Sequence, residues 1–182
     1  MKLERVYREM LFSRFQSNNS KFTERGLATT CMVSVGLVNS ALKPMKRMGA
    51  IIVHPRWVEL VDPWKALVYW CSIRDLRREV VYSTRLSSSV REIETLLPRG
   101  SMPTAYTAYV EMFDDTPAEY SEVYAYGDPD LFVGRFGAPT TAVRENLIVL
   151  KSDPHLMKTQ SVPLPQVYAD LWNIDSDRKS VV

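Results

Sequence analysis

Between Thr23 and Val61 the chain carries five local signals in a fixed order: a capped short helix, a tight turn, a second capped helix, a glycine stop and two β-rich runs. Thr23 can accept hydrogen bonds from the orphan N–H groups of a first helical turn, and Leu27, Ala28 and Cys31 follow as an inward face. Met32-Val33 then forms a turn. Ser34 caps a helix running to about Met48, where Gly49 supplies the left-handed stop. Beyond it, AIIV and WVELV flank His54-Pro55-Arg56, the layout of a hairpin with a tight connection. Ahead of this block, Leu3, Val6, Tyr7, Met10, Leu11 and Phe15 recur at helical spacing, and the polar stretch Gln16 to Ser20 ends that helix. Local consistency over so many positions restricts the fold to three helices and a hairpin.

This succession is that of a helix-turn-helix followed by a wing, expected over residues 1–62. The helix opened by Ser34 divides cleanly. Val35, Leu37, Val38, Ala41, Leu42, Met45 and Met48 share one broad apolar face. Gly36, Asn39, Ser40, Lys43, Lys46 and Arg47 share the other, with three cations and no acid. Such a face suits a major groove: Asn can make paired hydrogen bonds to adenine, and Ser and Gly allow close approach near the helix start. Lys43, Lys46 and Arg47 are expected to hold phosphates, which gives affinity and salt dependence. Asn39 and Ser40 are expected to read base edges. In the wing turn, Arg56 is expected at the backbone or minor groove, with His54 beside it, and Ser34 and Gly36 complete the candidate DNA-binding set. Pro44 removes a bond to the Ser40 carbonyl and predicts a kink between the two ends of this face.

Charge follows the same division. Residues 1–63 hold ten Lys/Arg and five Asp/Glu, or +5, whereas the remainder holds thirteen and sixteen, or −3. An asymmetry of that kind is expected when one half meets a polyanion. Cys31 and Cys71 are too few and too far apart for a disulfide framework or a Cys-rich zinc site, which suggests a reducing cytoplasm. The opening MKLERVYREM lacks the apolar core of a signal peptide, and no later run approaches membrane-span length. No membrane partner is expected.

Asp62-Pro63 offers a cap with proline at the first helical position, followed by a helical pattern in which Trp64, Leu67, Val68, Cys71 and Leu76 face a core. The domain join is expected at about Asp62. A second domain over residues 63–174 then mixes strands at VVYSTRL, SEVYAYG and NLIVLKS with helices at SSVREIETLLP, TAYTAYVEMF and Pro165 to Ile174. Residues 175–182 form a polar tail. The expected fold class is therefore α+β or α/β, a winged helix-turn-helix followed by a small α/β domain.

Enzymatic chemistry finds little support in this pattern. Gly100-Ser101 is followed by no Asp-x-Asp pair of the kind a magnesium-dependent nucleotidyltransferase needs. A nuclease could combine Asp128, Glu145 and Lys151, although an acid and a lysine six apart on a strand share a face by period alone. His54 and His155 are lone loop histidines, so no metal and no cofactor are expected. The acidic group Glu111, Asp114, Asp115, Glu119 and Glu122 reads as a solvated loop.

Residues 22–63, FTERGLATTCMVSVGLVNSALKPMKRMGAIIVHPRWVELVDP, resemble winged-helix transcriptional regulators, with Ala28, Val33, Ser34, Gly36 and Val38 on the A…VS.G.V pattern. That pattern often has Gly where this chain has Met32. With AYTAYVEMF, VYAYGDPD and VPLPQVYADLW in the second half, the whole chain is similar to the antitoxin-type regulators of abortive-infection, type IV toxin–antitoxin systems. The resemblance implies repression of its own operon and neutralisation of a nucleotidyltransferase-type toxin. A homodimer on double-stranded DNA is expected, since operators usually present two half-sites. The competing readings are a protein-interaction module without specific DNA binding and a divergent nucleotidyltransferase or nuclease.

Overall fold

The computed structural model describes residues 2–115, 119–140 and 144–174, so the expected polar tail at 175–182 lies outside the described residues. The architecture is mixed α+β, with eight α-helices and two sheets among the described residues. Two compact units divide the chain. The first comprises Met1–Arg74, Pro154–Thr159 and Pro163–Ala169, and the second comprises Asp75–Asp153, Gln160–Val162 and the segment from Asp170.

In the first unit, α1 (Glu4–Ser17) is followed by β1 (Lys21–Phe22), α2 (Glu24–Cys31), α3 (Val35–Arg47), β2 (Ile51–Val53), β3 (Val58–Leu60) and α4 (Pro63–Ile73). The strands form an antiparallel sheet in the order β1-β3-β2, with Ile51 opposite Leu60 and Lys21 opposite Glu59. One core joins Val6, Met10 and Leu11 of α1 with Cys31, Val38, Ala41, Met45 and Trp70, all fully buried. Each is drawn from an apolar stripe that one helix cannot bury alone. The strand β1 is absent from the expected elements, because two residues between a polar break and a cap are too short to show a period.

α4 corrects the expected inward face. Ala66, Leu67, Trp70 and Cys71 are the buried positions, whereas Trp64 is 60% and Val68 46% exposed. The physical reason is at Glu4, whose carboxylate accepts a 3.1 Å bond from the Trp70 indole and pairs with the Arg74 guanidinium. Satisfying those buried groups fixes the rotation of the helix about Trp70. Phe15, the last residue of the apolar spacing in α1, is 43% exposed and meets Trp64 edge-on at 5.9 Å. The helix stops at Ile73 because Arg74 turns extended, and Asp75 caps a short 3₁₀ turn, Leu76–Glu79, in place of the expected continuation. The compact unit thus runs past Asp62 and takes α4 with it.

The first unit also recruits chain from near the end of the described sequence. Arg8 donates to Gln166 Oε1 at 2.8 Å and, through Nη1, to His155 Nδ1 at 3.2 Å. A guanidinium only donates, so Nδ1 accepts, and Nε2 carries the proton it donates to Glu9 at 3.0 Å. That bond holds the Glu9 carboxyl below its ordinary range, against an opposing push from burial.

In the second unit, β4 (Val80–Thr84), α5 (Val90–Thr95), β5 (Met102–Thr104), α6 (Ala105–Phe113), β6 (Val123–Gly127), α7 (Pro129–Phe136) and β7 (Leu147–Lys151) form a four-stranded sheet with its helices. Strand order is β4-β7-β6-β5, parallel between β6 and β7 and antiparallel elsewhere. Tyr82, Val123, Ala125, Leu147 and Val149 pack with Ile93 of α5 and Phe132 of α7. The last helix, α8 (Leu164–Trp172), spans the boundary between units at Ala169. The strands expected at VVYSTRL, SEVYAYG and NLIVLKS are present as the shorter β4, β6 and β7, and the helices expected at SSVREIETLLP and Pro165 to Ile174 are present as α5 and α8. TAYTAYVEMF is corrected in one respect: Thr104 closes β5 and the helix begins at Ala105. α7 adds to the expected helices, and Asp128-Pro129 opens it with the same cap-and-proline signal as Asp62-Pro63. Among the described residues, no helix is long and apolar enough to cross a membrane.

Candidate nucleic-acid interface

The loop between α2 and α3 is built by local bonds that the sequence encodes. Thr23 accepts from Gly26 N at 3.0 Å and starts α2. Met32 ends it in the left-handed region at φ 53°, and Val33 N reaches back to the Ala28 carbonyl at 2.9 Å. Glycine is favoured in that conformation, so a methionine there costs on the order of 1 kcal/mol, held by the packing of α2 on α3. Ser34 accepts from Leu37 N at 3.2 Å and starts α3. Gly49 at φ 72° and the Ala50 N bond to the Met45 carbonyl close the far end of α3 and turn the chain into β2.

α3 buries Val38, Ala41, Leu42 and Met45, with Leu37 and Met48 half-buried against the same core. Val35, expected inward, is 38% exposed because it sits at the cap, before the face turns under α2. Gly36, Asn39, Ser40, Lys43, Lys46 and Arg47 are all exposed, as is Ser34. Among the described residues, Lys43, Lys46 and Arg47 make no ion pair, so their charges are available to a polyanion. A Cβ added at Gly36 would meet nothing within 4 Å, so the packing of the chain does not require a glycine there. Ser40 is partly committed: its hydroxyl donates to the Gly36 carbonyl at 3.0 Å, leaving oxygen lone pairs to face outward. Pro44 lies inside α3, and the chain continues helically through it to Arg47.

At the hairpin, the structure separates the two residues expected there. Arg56 is exposed. The His54 ring instead stacks on Trp57 at 3.6 Å and 13°, and its Nε2 lies 3.3 Å from Glu59 Oε2. Lys21, which sequence reasoning missed, sits 4.7 Å over the Trp57 ring, brought there by the pairing of β1 with β3. A cleft of about 430 Å³ separates the start of α2, with Arg25, from the hairpin tip. Only the short strand β1 signals that Lys21 and Arg25 flank the hairpin, and its two residues carry no readable period.

Of the three residues of the nuclease reading, Asp128 caps α7 through Asp130 N and follows Gly127, the strand partner of Lys151 at the end of β7, whereas Glu145 precedes β7 at its opposite end. Among the described residues, no group of three or more His, Cys, Asp or Glu is arranged to hold a metal ion. Compared with known families, curated proteins and solved structures, the chain matches none.

Proposed function

We propose that the first unit is a winged helix-turn-helix that binds double-stranded DNA through α3, and that the protein is a sequence-specific transcription regulator. The observation that carries this reading is the exposed face of α3, where Lys43, Lys46 and Arg47 stand without ion-pair partners, among the described residues, beside Asn39 and Ser40. Phosphates would take the cations, and Asn39 would reach a base edge from the capped end. The hairpin β2-β3 would be the wing, with Arg56 on the backbone and His54 shaping the turn through its stack on Trp57. Binding as a homodimer to two half-sites, repression of its own operon and neutralisation of a toxin extend the same reading.

Fluorescence anisotropy tests it, with a labelled duplex from upstream of the protein's own gene and unlabelled random-sequence duplex as competitor. A specific complex at physiological salt, tighter than the random duplex by about 10³-fold or more, is expected. Asn39→Ala should cost most of that preference. A stable complex with another protein, together with no preference for any duplex, would overturn the DNA reading in favour of a protein-interaction module.

A further inference from the structure

The sheet of the second unit presents one set of side chains to α5 and α7 and the alternate set to the opposite face. On that opposite face the register places Ser83 of β4 and Tyr124 of β6 on either side of Ile148 of β7, a single row across three strands. The row floors a cavity of about 390 Å³. That volume falls in the range of small-molecule sites.

A β-bulge shapes this cavity. Pairing between β4 and β7 slips by one residue between Val80 and Tyr82. Residues two apart on a regular strand face the same way, so Val80 would follow Tyr82 into the core. The extra residue turns Val80 instead to the side of its partner Leu150, and Val80 lines the cavity with Ser83. Ile148 and Ile174 extend this apolar wall.

The polar lining is net acidic: Glu122 and Glu145 face a single cation, Arg77. The Tyr124 hydroxyl donates to Glu122 Oε2 at 3.1 Å, which engages that carboxylate. Burial pushes the Tyr124 phenol up, and Glu145 adds to the shift while Arg77 opposes it, so the phenol stays a neutral donor at physiological pH. Glu145 has no hydrogen bond or ion pair among the described residues. A carboxylate without such a partner, set against an apolar wall, favours a ligand that supplies both a positive charge and a hydrocarbon body.

We propose that this cavity binds a small organic amine, its ammonium paired with Glu145 and its apolar body laid against Val80, Ile148 and Ile174. Three probes of one shape test it: 2-phenylethylamine, 2-phenylethanol and phenylacetate, titrated into the full chain by calorimetry and by saturation-transfer NMR. The amine should saturate, bind about tenfold more tightly than the alcohol, and outcompete phenylacetate altogether. Glu145→Gln should erase the preference of amine over alcohol while leaving the fold intact by circular dichroism. Val80→Trp, which fills the cavity from its rim, should abolish both. Glu111→Gln, an exposed acid on α6, should change neither. Equal binding of amine and alcohol, an amine affinity unmoved by Glu145→Gln, or no saturation below about 10 mM would overturn the proposal. The outcome is independent of DNA binding, because no DNA is present in the titration.

Discussion

Replacing Lys43, Lys46 and Arg47 together by Ala should change how DNA binding responds to salt by an amount that can be worked out beforehand. All three are exposed, none is ion-paired among the described residues, and α3 is held by the buried Val38, Ala41, Leu42 and Met45, so the substitutions leave its packing untouched. Each phosphate that is no longer neutralised reduces the slope of log affinity against log salt by about 0.9, so three phosphates reduce it by about 2.7. Referred to 1 M salt, that slope corresponds to a loss of about 3,000-fold at 0.05 M and about 80-fold at 0.2 M. The ratio between the two, about 40, depends only on the number of phosphates. Anisotropy titrations of wild type and triple variant over that salt range measure it directly. If the triple variant weakens binding equally at both salts, the residues act by some route other than phosphate neutralisation. An unchanged slope and affinity would remove α3 from the interface.

Three further outcomes follow from packing and charge. Glu4→Gln removes a buried negative charge that pairs with Arg74 and should cost about 3–5 kcal/mol, read as a lower urea midpoint. Burial raises the Glu4 carboxyl, but Arg74 and the Trp70 indole outweigh it and hold the group below its ordinary value near 4.5. Its contribution is therefore complete above that value and lost as pH falls through the lower folded one, so wild type and variant should converge in acid. Ser34→Ala removes the cap of α3 and should cost about 1 kcal/mol in thermal unfolding, with weaker DNA binding only in proportion to any fraying of Gly36 to Asn39. Gly127→Ala places a Cβ 2.6 Å from the buried Phe132 ring and should cost about 1–3 kcal/mol by the same unfolding assay; no loss would mean that α7 shifts freely on the sheet.

Much of the first unit was determined by local chemistry. Caps at Thr23, Ser34 and Asp62 act within three residues of themselves, Gly49 supplies its own left-handed turn, and the two-faced pattern of α3 needs only the helical period. Those signals are written in neighbouring residues, so the order of helix, turn, helix and hairpin was legible, together with the exposed face from Asn39 to Arg47. Tertiary structure decided what local chemistry could not. The rotation of α4 was set by Glu4, 66 positions before Trp70, which turned Trp64 outward against its apolar character. Lys21 reached Trp57 through the pairing of β1 with β3, and His155 is held in the first unit by Arg8 and Glu9. The cavity of the second unit depends on a one-residue slip between β4 and β7, a property of two strands together that neither carries in its own sequence. A periodic pattern specifies which face a residue shares with its neighbours, but which partner that face meets is settled by burying charged and polar groups with their distant complements.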